Sequence, residues 1–135
     1  MLDELGLVAA LTNLCDRLTQ QTGLLIRRDL PSDPLPLTAD GELVIYRVAQ
    51  ESLTNVIRHA QAREAEVGLC VRERHVELVV ADDGVGYGGP DAASDGGVRS
   101  MRERAVLLGG QVSWASSRSG GTEVRLRVPV AGTDP

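Results

Sequence analysis

Lysine and phenylalanine are both missing from this 135-residue chain, and aromatic side chains of any kind make up only 2% of it. All fourteen basic residues are therefore arginines. A P-loop needs a lysine on the phosphates, and Schiff-base catalysis needs a lysine amine, so both chemistries are excluded. Few aromatics and a net charge of −5 argue against a nucleic-acid binder. Cysteine is scarce too: Cys15 and Cys70 sit inside apolar patterns without metal-type spacing. They read as small buried hydrophobes in a reducing compartment, and with two distant histidines they fall short of a zinc site. No apolar run approaches the ~20 residues of a membrane span, and no secretory leader is visible. The opening "MLDELGLVAALTNLCDRL" carries acids early and repeats with helical spacing, so it reads as a domain helix.

What is present suits one globular domain, with 42% hydrophobic and 24% charged residues. Residues 1–130 are expected to form it, with 131–135 a frayed tail. Leu2, Leu5, Leu7, Val8, Leu11, Leu14 and Leu18 predict a helix over 2–20 ending near Gly23. A short strand (24–30) and a proline-rich loop (31–36) follow. Thr38 or Asp40 then offers an N-cap for a helix running to about Gln61. Residues 64–74 and 75–83 read as strands joined by a tight hairpin at Glu73, and 84–97 as a loop holding six glycines. A helix over 98–110 closes on a glycine pair, and two strands follow around "RSGG". Three helices on a mixed, largely antiparallel sheet make an α+β, two-layer α/β sandwich.

Four stretches carry possible chemistry. In "QESLTNVIRHA" Glu51, Asn55, Arg58 and His59 stand at i, i+4, i+7 and i+8. With Arg47 they span about −40° to 80° of a helical wheel at ~100° per residue. Charged residues on an exposed helix face are common, and periodicity alone leaves solvated face and site both open. Val44 and Val48 fall inside the same arc, which suits a pocket with one apolar wall. In "VVADDGVGYGG" an apolar strand ends at Asp82-Asp83-Gly84-Val85-Gly86, either a plain turn or a carboxylate beside glycines that let a ligand approach. Adjacent strand residues point to opposite faces, which argues against one ion shared by Asp82 and Asp83. "SDGGVRSMRERA" sets glycines before a helix N-terminus, where an anion could sit. "SRSGGTEV" is a hairpin turn with Gly120, Gly121 and the hydroxyl of Thr122.

Together these four form a series: ExxxN on a helix, DxGxG some thirty residues on, a Gly-rich loop into a helix, then G-T on a strand. The series resembles the GHKL (Bergerat-fold) ATPase superfamily over nearly the whole chain. "YRVAQESLTNVIRHA" and "GVRSMRERAVLLGG" are similar to sensor histidine kinases that pair with NarL/LuxR-type response regulators, and "LDELGLVAAL" fits the start of that ATP-binding domain. The resemblance implies ATP and Mg²⁺ as cofactors. Asn55 would supply an oxygen to Mg²⁺, and Glu51 would orient or deprotonate a nucleophile or metal-bound water. Arg58 and His59 would lie toward the phosphates. Asp82 would accept a hydrogen bond from the adenine amine, with Gly84 and Gly86 forming the turn and Thr122 reaching the same edge. Guanine carries a carbonyl where adenine carries that amine, so an ionised carboxylate discriminates between them. Gly96, Gly97 and Val98, with the helix they open, would hold the phosphate tail.

Departures from the pattern are specific. Asp95-Gly96-Gly97-Val98 stands where G-x-G-L is usual, so Asp95 is expected to point away from the phosphates, or the register to shift by one. No F box is possible without phenylalanine. Neither His59, followed by alanine, nor His75, at a strand start, has the following acid of a phosphoacceptor. The resemblance therefore implies the catalytic domain of a longer histidine kinase, inactive alone for autophosphorylation. That domain would donate the γ-phosphoryl group to a histidine on a dimerisation helix absent from this chain. Expected partners are ATP, that dimerisation/phosphoacceptor domain and a NarL/LuxR-type regulator, with no nucleic acid. The isolated domain would be a cytoplasmic monomer, with a membrane anchor in the parent protein left open. An anti-sigma-factor-type Ser/Thr kinase and a degenerate nucleotide-binding interaction module are the alternatives.

Overall fold

The computed structural model describes residues 2–32, 34–84, 96–116, 118 and 120–131, and the side chains of 2–5, 59–60 and 96–98 are not among what it describes. Helix α1 (Leu2–Thr22) is interrupted at Gly6, whose φ of 80° only glycine adopts at little cost. Strand β1 (Leu25–Asp29) follows. Helix α2 (Ala39–Asn55) starts where Thr38 Oγ1 accepts from the Gly41 amide at 3.0 Å, with Asp40 and Glu42 favourably placed at the positive end of the dipole. Beyond Asn55 the chain does not continue as α-helix to Gln61. It widens into a π-turn over Val56–Ala60 and stops at Gln61 in the left-handed region. The 100° step of the wheel therefore ends at Asn55, and Arg58 sits on the π-turn beyond it.

Strands β2 (Glu64–Arg72) and β3 (His75–Asp82) form the expected hairpin. Both residues of its two-residue turn, Glu73 and Arg74, have positive φ, as a turn matching the strand twist requires. Helix α3 (Gly96–Leu107) begins two residues earlier than expected and ends earlier too. Its end is a Schellman arrangement: the Gly110 amide donates to Ala105 O at 2.8 Å and the Gly109 amide to Val106 O at 3.0 Å. Gly109 takes φ of 72°, and a Cβ on Gly110 would sit 2.5 Å from Arg127 O. Strands β4 (Gln111–Ser116) and β5 (Thr122–Pro129) complete a sheet of order β1-β2-β3-β5-β4, parallel only between β1 and β2.

Alternation decides the faces. Ala65, Val67 and Leu69, then Val76, Leu78 and Val80, then Val124, Leu126 and Val128 are all buried under the helices. The expected α+β, two-layer arrangement of three helices on a mixed sheet is what forms. On the opposite face Glu77, only 5% exposed, is held by Arg125 and Arg127 from β5. Cys70 lies on that face too, opposite Glu77, and is exposed. Only Cys15 is the buried hydrophobe expected of both, because β2 turns Leu69 rather than Cys70 toward the core. Helix α2 is the central helix, packed on α1, α3, β3 and β5. That width of contact explains why Val44 and Val48 belong to the core instead of walling a pocket: Val48 is 0% exposed.

Candidate functional site

One end of the sheet collects the predicted residues, and the register shows why. Three residues after the π-turn the chain enters β2, whose Ala65 pairs with Asp82 at the end of β3. Ala81 pairs with Glu123 beside the start of β5, so Thr122 is at the same end. Helix α3 leads through Gly109 and Gly110 to Gln111, which pairs with Arg127 at the far end, so its N-terminus returns to the near one. The C-terminus of α2, the last residue of β3, the first of β5 and the first turn of α3 thus converge.

Asn55 is 1% exposed, and neither its Oδ1 nor its Nδ2 has a hydrogen-bond partner among the described residues. An amide buried this way costs roughly 1–3 kcal/mol unless something satisfies it. Glu51, one helical turn earlier, is half-buried on the same face. Ser52 Oγ donates to Met101 Sδ across the α2–α3 contact at 3.8 Å. The two helices run antiparallel, so at ~1.5 Å per residue Asn55 stands level with the first turn of α3. Arg58 is exposed on the π-turn. The side chains of His59 and Val98 lie outside the described residues, as do Gly86 and Asp95. Gly96 and Gly97 are the first two residues of α3 itself, where backbone N–H groups have no intrahelical partner.

Asp82 is 3% exposed. The Gly84 amide donates to its Oδ1 at 2.8 Å and the Thr122 amide to its Oδ2 at 3.4 Å. Burial pushes its carboxyl above the ordinary range, and these two amides pull the other way. Thr122, 6% exposed, stands beside it. Asp83 turns away, as alternation demands. Its Oδ1 accepts from the Arg63 and Glu64 amides at 2.9 and 3.1 Å and fastens the entrance of β2. A cleft of about 430 Å³ opens against Asp82 and Asp83, with Arg27 and Arg118 on its walls, while Asn55 lies elsewhere.

Three parts of this arrangement escaped the sequence reading. Gly121 lies directly against Asp82, Asp83 is an anchor, and Ser52 with Met101 joins the two helices. A second glycine in "SGGT", where one suffices for the turn, was the available signal for the first.

A family model described as histidine kinase-, DNA gyrase B-, and HSP90-like ATPase matches residues 40–132. The chain belongs to this family. Among curated relatives of this ATPase domain, the sensor histidine kinase MctS of Rhizobium johnstonii is 36% identical over 90% of the chain and 27% of its own length. The oxygen sensor histidine kinase NreB of Staphylococcus carnosus is 35% identical over 96% of the chain and 38% of its own length. LiaS of Bacillus subtilis, another sensor histidine kinase, is 32% identical over 93% and 34%. The ATPase domain thus spans between about a quarter and two-fifths of these relatives. Its fold matches the ATP-binding domain of PrrB from Mycobacterium tuberculosis with a TM-score of 0.71, at 22% identity over 90% of this chain and 95% of that one. The histidine kinase AdeS of Acinetobacter baumannii gives 0.75 at 18% identity, covering 92% and 64%. The chain is an ATP-binding domain of the sensor-histidine-kinase type.

Proposed function

We propose that this domain binds Mg·ATP at the converging strand end and supplies the catalytic half of a sensor histidine kinase. The observation that carries the reading is Asn55, a buried amide without a partner among the described residues, at the end of the sheet where Asp82 also lies. An orphaned side-chain oxygen there fits a hard cation that keeps most of its waters and takes one or two protein ligands. Asn55 would hold Mg²⁺, whose charge offsets that of the phosphate oxygens. Asp82 would accept from the adenine amine, with Gly84 and Gly86 shaping the turn and Thr122 on the same edge. The free amides of Gly96, Gly97 and Val98, with Arg58 and His59, would hold the phosphates.

Glu51, one turn from Asn55, is suited to take a proton from the attacking imidazole or to orient it. In that transfer an imidazole nitrogen forms the new P–N bond in line as the bond from the γ-phosphorus to the bridging oxygen breaks, and ADP leaves. The acceptor histidine belongs to a dimerisation helix of the whole kinase, and a NarL/LuxR-type regulator takes the phosphoryl group next. Residues 1–130 would act as one unit, monomeric by itself and working in the cytoplasm. Among the described residues no helix is long and apolar enough to cross a membrane.

Titration calorimetry with ATP tests the reading. Wild type should bind more tightly with Mg²⁺ than without it, and Asn55→Ala should erase most of that difference. Asp82→Asn should weaken ATP at least tenfold in either buffer. Absence of ATP binding by the wild type would sink the assignment. Phosphotransfer is checked separately, by adding a helical fragment bearing the acceptor histidine and looking for an acid-labile phosphohistidine.

A further inference from the structure

Gly121 is not a glycine for conformational reasons. Among the described glycines, positive φ occurs at Gly6, Gly23, Gly109 and Gly120, and Gly121 is not one of them. What distinguishes it is proximity. A Cβ built on Gly121 would overlap both Oδ1 and the backbone oxygen of Asp82 and lie 2.8 Å from its carbonyl carbon. Real Cβ atoms do not approach heavy atoms that closely, so any side chain here must push the end of β3 away from the start of β5. The neighbouring Gly120 is the reverse case, with φ of 96° and nothing within 4 Å of its notional Cβ.

We propose that Gly121 is a positioning residue for base recognition. Lacking a side chain, it lets β5 begin in contact with the Asp82 carboxyl. The Thr122 amide can then reach Oδ2 while the Gly84 amide holds Oδ1. Two amides, one two residues and the other forty residues from Asp82 in sequence, thereby fix the plane of one buried carboxylate. An acceptor in a fixed plane favours a purine with an amine at C6 over one with a carbonyl there, because a mobile carboxylate would find other donors on either base. The inference rests on the assignment of Asp82 to adenine.

The test compares ATP and GTP binding by calorimetry for wild type, Gly121→Ala and Gly120→Ala, alongside thermal melts. Gly121→Ala is expected to weaken ATP tenfold or more while leaving weak GTP binding where it was, so that the ATP/GTP preference collapses. Gly120→Ala, which strains the turn without touching Asp82, should lower the melting temperature and keep the preference. A Gly121→Ala protein that retains the wild-type preference overturns the inference alone, as does a Gly120→Ala protein that loses it equally. A wild type indifferent between ATP and GTP overturns both the inference and the adenine assignment. If Gly121→Ala does not fold in buffer, the same comparison is made in trimethylamine N-oxide, which favours the folded state. A variant refolded there with its preference lost supports the inference, one with the wild-type preference overturns it, and failure to fold even there counts against it.

Discussion

Asp82 and Asp83 are chemically identical neighbours with opposite surroundings. Burial raises the pKa of Asp82, whereas the amides of Glu64 and Arg63 lower that of Asp83. The consequences of acidification therefore have opposite signs. Asp83 contributes stability that is present above the ordinary carboxyl value of 3.8 and is lost as pH falls through its depressed value. Asp83→Ala should melt lower than wild type at neutral pH and show a shallower further loss in acid. The folded-state pKa of Asp82 is raised, so its contribution to stability is largest below the ordinary value and diminishes as pH rises through the raised one. Binding runs the other way. In the role proposed for Asp82, protonation would remove the charge that receives the adenine amine, so ATP affinity should fall on acidification at a higher pH than an ordinary carboxylate would dictate. Asp82→Asn should lack that limb, and calorimetry across a pH series would reveal one that persists.

At the scale of elements, caps and turns decide where the site residues stand. The Schellman end of α3 depends on Gly109 at φ 72°, and Gly109→Ala is expected to cost about 1 kcal/mol in denaturant unfolding. ATP affinity should hardly change, since this end of α3 is far from the converging termini. Much of this level was legible beforehand. Thr38, the αL glycine after α3, the Glu73 hairpin and the alternation of β2, β3 and β5 each follow from local stereochemistry that a sequence displays. The π-turn did not, because "VIRHA" continues a good helical pattern. Nor did the burial of Val44 and Val48. A wheel shows which residues share a face but not that α2 has neighbours on both flanks. Of the residues brought together at one end of the sheet, Glu51, Asn55, Asp82, Gly84 and Thr122 were readable beforehand as residue types at a spacing. Gly121 was not, because its constraint comes from a strand forty residues away in sequence.

For the whole molecule, four segments distant in sequence meet only in the native state, so a ligand at their junction binds the folded form alone. Mg·ATP at about a hundred times its dissociation constant should add roughly 2.7 kcal/mol of stability. Asn55→Ala should lose the part of that increment which depends on Mg²⁺. Thermal melts with ATP, with and without Mg²⁺, measure this directly, and equal shifts for both proteins would contradict the role given to Asn55.

The sheet's one parallel pair carries a consequence for kinetics. Strand β1 reaches β2 only across the whole of α2, and it is an edge strand with four of its five residues exposed. Closing so long a crossover is entropically slow, and the reward is small. The β1 edge is therefore the segment best able to open by itself while the rest of the sheet stays paired. Amide hydrogens of Leu25–Asp29 should exchange by local opening, at a rate indifferent to nucleotide, whereas those of Val76–Val80 should slow when it is bound. Such a division would make the β1 edge of the sheet a free-running clock beside a gated centre.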